Sequence, residues 1–385
     1  MAAMHAESAA DRAELRILKE HGHVDDAMRR AVLDVLDSRT YYMGPQNDAF
    51  EADVAKYLAV KHAVAVNSGT SAMFLILKAM GIGAGDDVIV PAMGFVTLAE
   101  AVATAGARPR FVDVETETFN LDPAKLEAAR TPATRAIVPA HKYGHPADLD
   151  AVRAFAARHK LRVIEDCCHG FGSAYRGRFT GGIGDAGFVS FAGKSISVCG
   201  LGGMILTNDD DLAQEVRLLR DHGRPRSGGV RFYEIHRIGY NMRLSELHAA
   251  IGRAQLPHLT DWNARRRAHA NAYNDAFERR RVPVVPPSTL PHVEHAFLHY
   301  TIRVPDGRRD ALRQHLAARG IQSSILYPIE LHLLEPYRRA YGHSRGDFPV
   351  AEQMTQEVLS LPNPPSMTDA QRGEVIDAVE SFFNQ

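Results

Sequence analysis

The chain has 385 residues, 45 of them basic and 46 acidic, so bulk electrostatics offer no attraction to nucleic acid or to an anionic membrane. Hydrophobic residues make up 45%, enough for a sizeable core and for two or three domains at this length. Three cysteines, two of them adjacent at Cys167 and Cys168, form neither a disulfide framework nor a CxxC metal pattern, and the expected compartment is the reducing cytoplasm.

The opening MAAMHAESAADRAELR is charged and has no apolar run of the signal-peptide kind, so residues 1–23 read as a flexible tail. VDDAMRRAVLDVLDS (24–38) has helical spacing, and a Gly-Pro turn at 44–45 leads into a second helix. A regular alternation follows. Short apolar runs at 62–66, 87–91, 108–114, 135–140 and 162–166 are separated by helical segments near 70–80, 95–105, 122–130 and 147–158. That pattern predicts an α/β domain with a largely parallel sheet, whose ligands gather at the carboxyl ends of the strands. The most apolar stretch, 88–107, contains Pro91, Gly94 and Glu100 and reads as strand, turn and helix, so no membrane span is expected. Past Leu256 come a long helix, a Pro-rich segment at 282–291 and an alternating strand, which predict a large domain over 24–256 and a smaller α+β domain over 257–385.

The chemistry-bearing residues follow the apolar runs. After the first comes Asn67-Ser68-Gly69-Thr70-Ser71-Ala72, where backbone N–H groups at a helix start and nearby hydroxyls suit a phosphate; a plain N-cap explains the same residues. The segment lacks the GK[ST] of a Walker loop, and no GxGxxG follows a strand. Phe95 stands at the next turn, able either to stack on a flat ring or to pack in the core. Asp166 ends the fifth run, where a carboxylate can hold a protonated ring nitrogen or cap a helix. Ser190 is a second candidate phosphate donor, four residues before Lys194 in GDAGFVSFAGKSISVCGLGGMILT. A lysine held between a buried strand and a glycine-rich turn is a candidate Schiff-base-forming amine, and a solvated loop lysine is the bland alternative. In this order the residues describe a site for pyridoxal 5'-phosphate. The nineteen histidines show no metal-ligand spacing.

Between Tyr42 and Tyr337 the chain resembles the DegT/DnrJ/EryC1/StrS sugar aminotransferases, which are fold-type I pyridoxal-phosphate enzymes. The likeness is carried by GPQNDAFE, VNSGTSAMFLILKAMGIGAGDDVIVPAMGF, FVDVETETFNLDP, HKYGHPADLDAV, VIEDCCHGFGSAY, GDAGFVSFAGK, GGMILTND, LRDHG, IGYNMRLSELHAAIGRAQL and YPIELHLLEPY. It implies a mostly parallel seven-stranded sheet with a smaller C-terminal domain. By that resemblance Lys194 forms the internal aldimine, Asp166 pairs the pyridine nitrogen, Phe95 covers the ring, and Gly69, Thr70, Ser71 and Ser190 hold the phosphate. His169 replaces a glutamine that usually bonds the phenolic oxygen; Leu201 replaces a frequent glutamate and Gly94 a frequent threonine. Asn241 is similar to an asparagine that reaches the neighbouring subunit's cofactor, which implies a homodimer with a shared site. The implied reaction moves an amino group from glutamate or glutamine to a nucleotide-linked 3- or 4-keto-deoxyhexose in amino-sugar biosynthesis. A keto-cyclitol acceptor or a sugar dehydration is the alternative, although dehydrating relatives carry histidine where Lys194 stands. The basic loop at 222–243, with Arg224, Arg226, Arg231, His236, Arg237 and Arg243, is a candidate for meeting a diphosphate or else a solvated face. Residues 327–332 (YPIELH) are expected to face the cleft, with His332 a structural residue more readily than a substrate contact.

Overall fold

The computed structural model describes residues 15–18, 23–193, 200–225 and 234–384. Its centre is a seven-stranded sheet of β1 (His62–Val66), β2 (Asp87–Pro91), β3 (Arg108–Val112), β4 (Thr134–Ile137), β5 (Arg162–Asp166), β8 (Ala186–Ser190) and β9 (Gly203–Thr207). The two-residue strands β6 (Ala174–Tyr175) and β7 (Arg178–Phe179) form a ribbon with β10 (Val293–Glu294). The order across the large sheet is β1-β9-β8-β5-β4-β2-β3, and within it β9 alone is antiparallel to its neighbours. β1, β2, β4, β5 and β8 therefore all end on the same edge, and β9 begins there.

Helices α1 (Asp26–Ser38), α2 (Pro45–Leu58), α3 (Gly69–Ala79), α4 (Thr97–Thr104), α5 (Leu126–Ala129), α6 (Leu149–His159), α7 (Asp210–Arg220) and α8 (Glu246–Gln255) surround this sheet. The apolar runs are continuous because both faces are covered. Val64, Val66, Val88, Val90, Phe188 and Ile205 point to the layer holding α3, α4 and α7. Their neighbours Ala63, Ala65, Val189, Met204 and Leu206 meet α2 and α8, and Ile89, Val112, Ile137 and Val163 meet α5 and α6. Most helix starts are locally encoded: the side chains of Asp25, Ser68, Asp148, Asp209 and Ser245 each accept a bond from a first-turn N–H. α2, like α4 and α5, has no such cap. Gly44 has no side chain to offer, and the buried carboxylate of Glu246, some 200 residues later, accepts from the backbone N–H of Gly44 (3.0 Å), Gln46 (2.8 Å) and Asn47 (3.1 Å).

Beyond α8, helices α9 (Leu259–Arg279), α10 (Arg309–Ala317), α11 (Glu335–Tyr341), α12 (Pro349–Glu357) and α13 (Asp369–Phe383) and the pair β11 (Tyr300–Arg303) and β12 (Val358–Leu361) build a second core. Tyr273, Phe277, Tyr300, Leu312, Leu361 and Val379 lie in it. Leu331, Tyr337, Ala351 and Met354 pack instead into the core of the large sheet. Within the stretch expected to be a loose tail, Ile17 is 3% exposed and belongs to the second core. Its N–H donates to the Gly320 carbonyl (3.0 Å), and its own carbonyl accepts from Gln322 (2.9 Å). One apolar side chain with a backbone ladder partner pins the segment there. Among the described residues no helix is long and apolar enough to cross a membrane.

Candidate active site

A cavity of about 360 Å³ opens at the strand-end edge, within the range of small-molecule sites. Five strands deliver residues to it: Gly69 and Thr70 after β1, Phe95 after β2, Lys142 after β4, Asp166 and His169 from β5 and its turn, Ser190 from β8. Leu201 before β9 and Tyr327 from the C-terminal part complete the wall.

At the phosphate-type turn the Ser68 hydroxyl oxygen accepts from Ser71 N–H (3.0 Å) and donates to Ser71 Oγ (2.9 Å). Ser68 thus caps α3 and engages the Ser71 hydroxyl; Ser71 does not line the cavity, whereas Gly69 and Thr70 do. A Cβ at Gly69 would lie 2.8 Å from Ser190 Cβ, so only glycine lets the helix start sit against the end of β8. Thr70 Oγ1 is 2.8 Å from Thr97 Oγ1, which adds a second hydroxyl to this wall. The N-terminus of α3, fringed by Thr70, Thr97 and Ser190, is a built anion cradle.

Phe95 is 56% exposed and tilted against Tyr327 at 6.3 Å between ring centres. A large aromatic left this open inside a cavity has a face to give to a flat ligand. Asp166 caps no helix; its Oδ1 accepts from Cys168 N–H (2.9 Å) in the turn that follows β5. His169 is buried, with Nε2 3.4 Å from the Tyr327 hydroxyl and its ring nearly parallel to that of Tyr327. Beneath them His141 accepts from Ala147 N–H at Nδ1 (3.1 Å), so its Nε2 carries the proton donated to Glu165 (3.2 Å). Glu165 also accepts from the N–H groups of Gly181, Ile183 and Gly184 at 2.7 to 2.9 Å. Burial would raise its carboxyl, but His141 and these N–H groups outweigh that and hold it below its usual range.

Lys194, expected to carry the cofactor, lies outside the described residues, as do Arg226 and Arg231. Asn241 is exposed, away from the cavity wall, and its Oδ1 accepts from Arg243 (2.6 Å). The other described cations of the basic loop are engaged by carboxylates: Arg224 and Arg243 converge on Asp221, Arg237 meets Glu215 and His236 meets Glu234. None of them lines the cavity. Of the YPIELH segment, Tyr327 forms part of the wall while His332 is fully buried, 3.2 Å from Glu352 and packed on Phe348.

The residue that sequence reasoning missed is Lys142. It is 3% exposed, its ammonium lies 5.8 Å from the centre of the Tyr327 ring, and burial pulls its pKa down to about 8 against the opposing charges of Asp166 and Cys168. The signal was present: Lys142 follows an apolar strand end in AIVPAHKYG, the same context that singled out Lys194.

The DegT/DnrJ/EryC1/StrS aminotransferase family model matches residues 23–380. The chain is 39% identical over 372 residues to a pleiotropic regulatory protein of Geobacillus stearothermophilus, covering 96% of this chain and 98% of that one. It is 42% identical over 356 residues to the dTDP-3-amino-3,4,6-trideoxy-alpha-D-glucose transaminase of Streptomyces venezuelae, covering 91% of each. Among solved structures, S. venezuelae DesV in complex with a ketimine intermediate superposes with a TM-score of 0.88 at 40% identity, over 93% of this chain and 94% of that one.

Proposed function

The chain belongs to the DegT/DnrJ/EryC1/StrS aminotransferase family, and from this premise we propose that it transfers an amino group from glutamate or glutamine to a nucleotide-linked keto sugar, with pyridoxal 5'-phosphate as cofactor. The observation that carries the reading is one cavity that gathers Gly69, Thr70, Phe95, Asp166, His169 and Ser190 from four different strand ends. Its donor set fits that cofactor part by part. The glycine-lined start of α3 with its hydroxyls suits a phosphate, the open face of Phe95 suits an aromatic ring, and Asp166 suits a ring nitrogen that must stay protonated.

When bound, the cofactor supplies the electron sink that stabilises a carbanion next to nitrogen. The protein's part is to orient and to move protons. Thr70 and Ser190 anchor the phosphate, Phe95 excludes water from one face, and Asp166 holds the proton on the ring nitrogen by charge. His169 donates towards the phenolic oxygen, where its neighbour Tyr327 restricts its ring. Lys194, four residues past Ser190, holds the cofactor covalently and then serves as the base that moves a proton between substrate and cofactor carbons.

The same proposal includes a homodimer in which Asn241 of each subunit completes the other's site, a large domain over 24–256 and a smaller one over 257–385, and a cytoplasmic location. An exposed asparagine on a loop away from its own cavity supports the first, and a second apolar core beyond α8 supports the second. Free Cys167 and Cys168 support the third. Reducing the reconstituted protein with borohydride and sequencing the peptide around position 194 by mass spectrometry tests the whole scheme. The expected result is a cofactor adduct on Lys194; an unmodified Lys194 would overturn it.

A further inference from the structure

Resting on that function, we propose that Lys142 is the anion-binding group of the cavity and takes a carboxylate of the amino donor on its ammonium. Among the described residues lining the cavity it is the one lysine or arginine. Among the described residues, too, no hydrogen bond from its Nζ is seen, and the ammonium lies 5.8 Å from the centre of the Tyr327 ring. The acidic groups that act on it, Asp166 and Cys168, do so through space. In the proposed complex Asp166 is committed to a ring nitrogen, which leaves the buried ammonium without its principal counter-charge. A buried cation in that position favours a ligand that brings an anionic oxygen.

Gly94 makes the position possible. A Cβ there would stand 2.6 Å from Leu98 Cδ1 and 3.1 Å from Lys142 Nζ, so the threonine expected from the resemblance would press on the ammonium. The two positions are complementary: the glycine leaves the space that the lysine head fills. Among the described residues of the basic loop, Arg224 and Arg243 are paired with Asp221 and Arg237 with Glu215.

Lys142 faces Asp166, Cys168 and His169 after β5, His141 beside it, and Tyr327 from the C-terminal part. With its pKa lowered to about 8 by burial, the ammonium is charged at neutral pH and lost above that value. Anion affinity should therefore fall about tenfold per pH unit on the alkaline side.

Calorimetric titration of the cofactor-loaded protein with glutarate, an unreactive dicarboxylate, tests this, with neutral glutaramide and with UDP as parallel probes. Lys142→Met is expected to weaken glutarate by about 10- to 100-fold, to abolish the alkaline fall, and to leave glutaramide and UDP unchanged. Its melting temperature should not drop, because an apolar chain of similar length replaces a buried charge. No glutarate binding by the wild type, equal affinity in both proteins, or a loss confined to UDP would each overturn the assignment. The function proposed above fails on a separate result, namely a wild-type protein that exchanges an amino group with neither glutamate nor glutamine.

Discussion

Asp166 and Glu165 are adjacent in sequence and opposite in role, because successive side chains of a strand point to opposite faces. Asp166 lines the cavity, whereas Glu165 points below it into a closed set of donors. Asp166→Asn keeps an acceptor for Cys168 N–H and loses the charge. Steady-state transfer should fall about 10²- to 10³-fold with no change in far-ultraviolet circular dichroism. Glu165 makes a different prediction. Its carboxyl is held down in the folded state, so its contribution is fully present above the unfolded value of 4.5 and is lost as the pH falls through and below it. The urea midpoint should fall as the pH drops from about 5 to about 3, and the fall should be smaller in Glu165→Gln. Of the residues at this scale, Gly69, Thr70, Phe95, Asp166 and Ser190 were legible from their places after apolar runs, and His169 only through the family resemblance. Lys142 stands in the same kind of place, but the sequence does not say whether water or a ring lies over it.

At the scale of elements, the strands and most helices follow from local pattern, since a side-chain cap lies next to the helix it starts. α2 does not follow that rule. Gly-Pro marks its beginning, yet its free N–H groups are satisfied by Glu246 at the first turn of α8. The negative charge is doubly suited there, as hydrogen-bond acceptor and as partner to the positive end of α2. Glu246→Ala should cost about 2–3 kcal/mol, read as a lower urea midpoint with unchanged slope. A conservative Gln should recover part of it. In the basic loop the sequence displays the arginines, and the structure adds the carboxylates that face those described, Asp221, Glu215 and Glu234.

For the whole molecule, the expectation that each site draws on two subunits has a direct test. Lys194→Ala and Asn241→Ala should each be inactive alone. Mixed and allowed to reassort, they should regain about a quarter of wild-type activity, because half the dimers are hybrids with one intact site each. Sites contained within single chains would recover none. The Ile17 contact also belongs to this scale: a short segment before α1 lies along residues 320–322, joining the start of the chain to the second core.

The amino-acid order by itself determined the α/β alternation, the edge of the sheet where ligands collect, and most residues that gather there. Those features depend on local periodicity and on the rule that parallel strands end together. Tertiary structure alone decided that Lys142 is buried near Asp166, that Glu246 starts a distant helix and that Ile17 is not loose. Burial and long-range pairing depend on neighbours brought from elsewhere in the chain, and no window of sequence contains them.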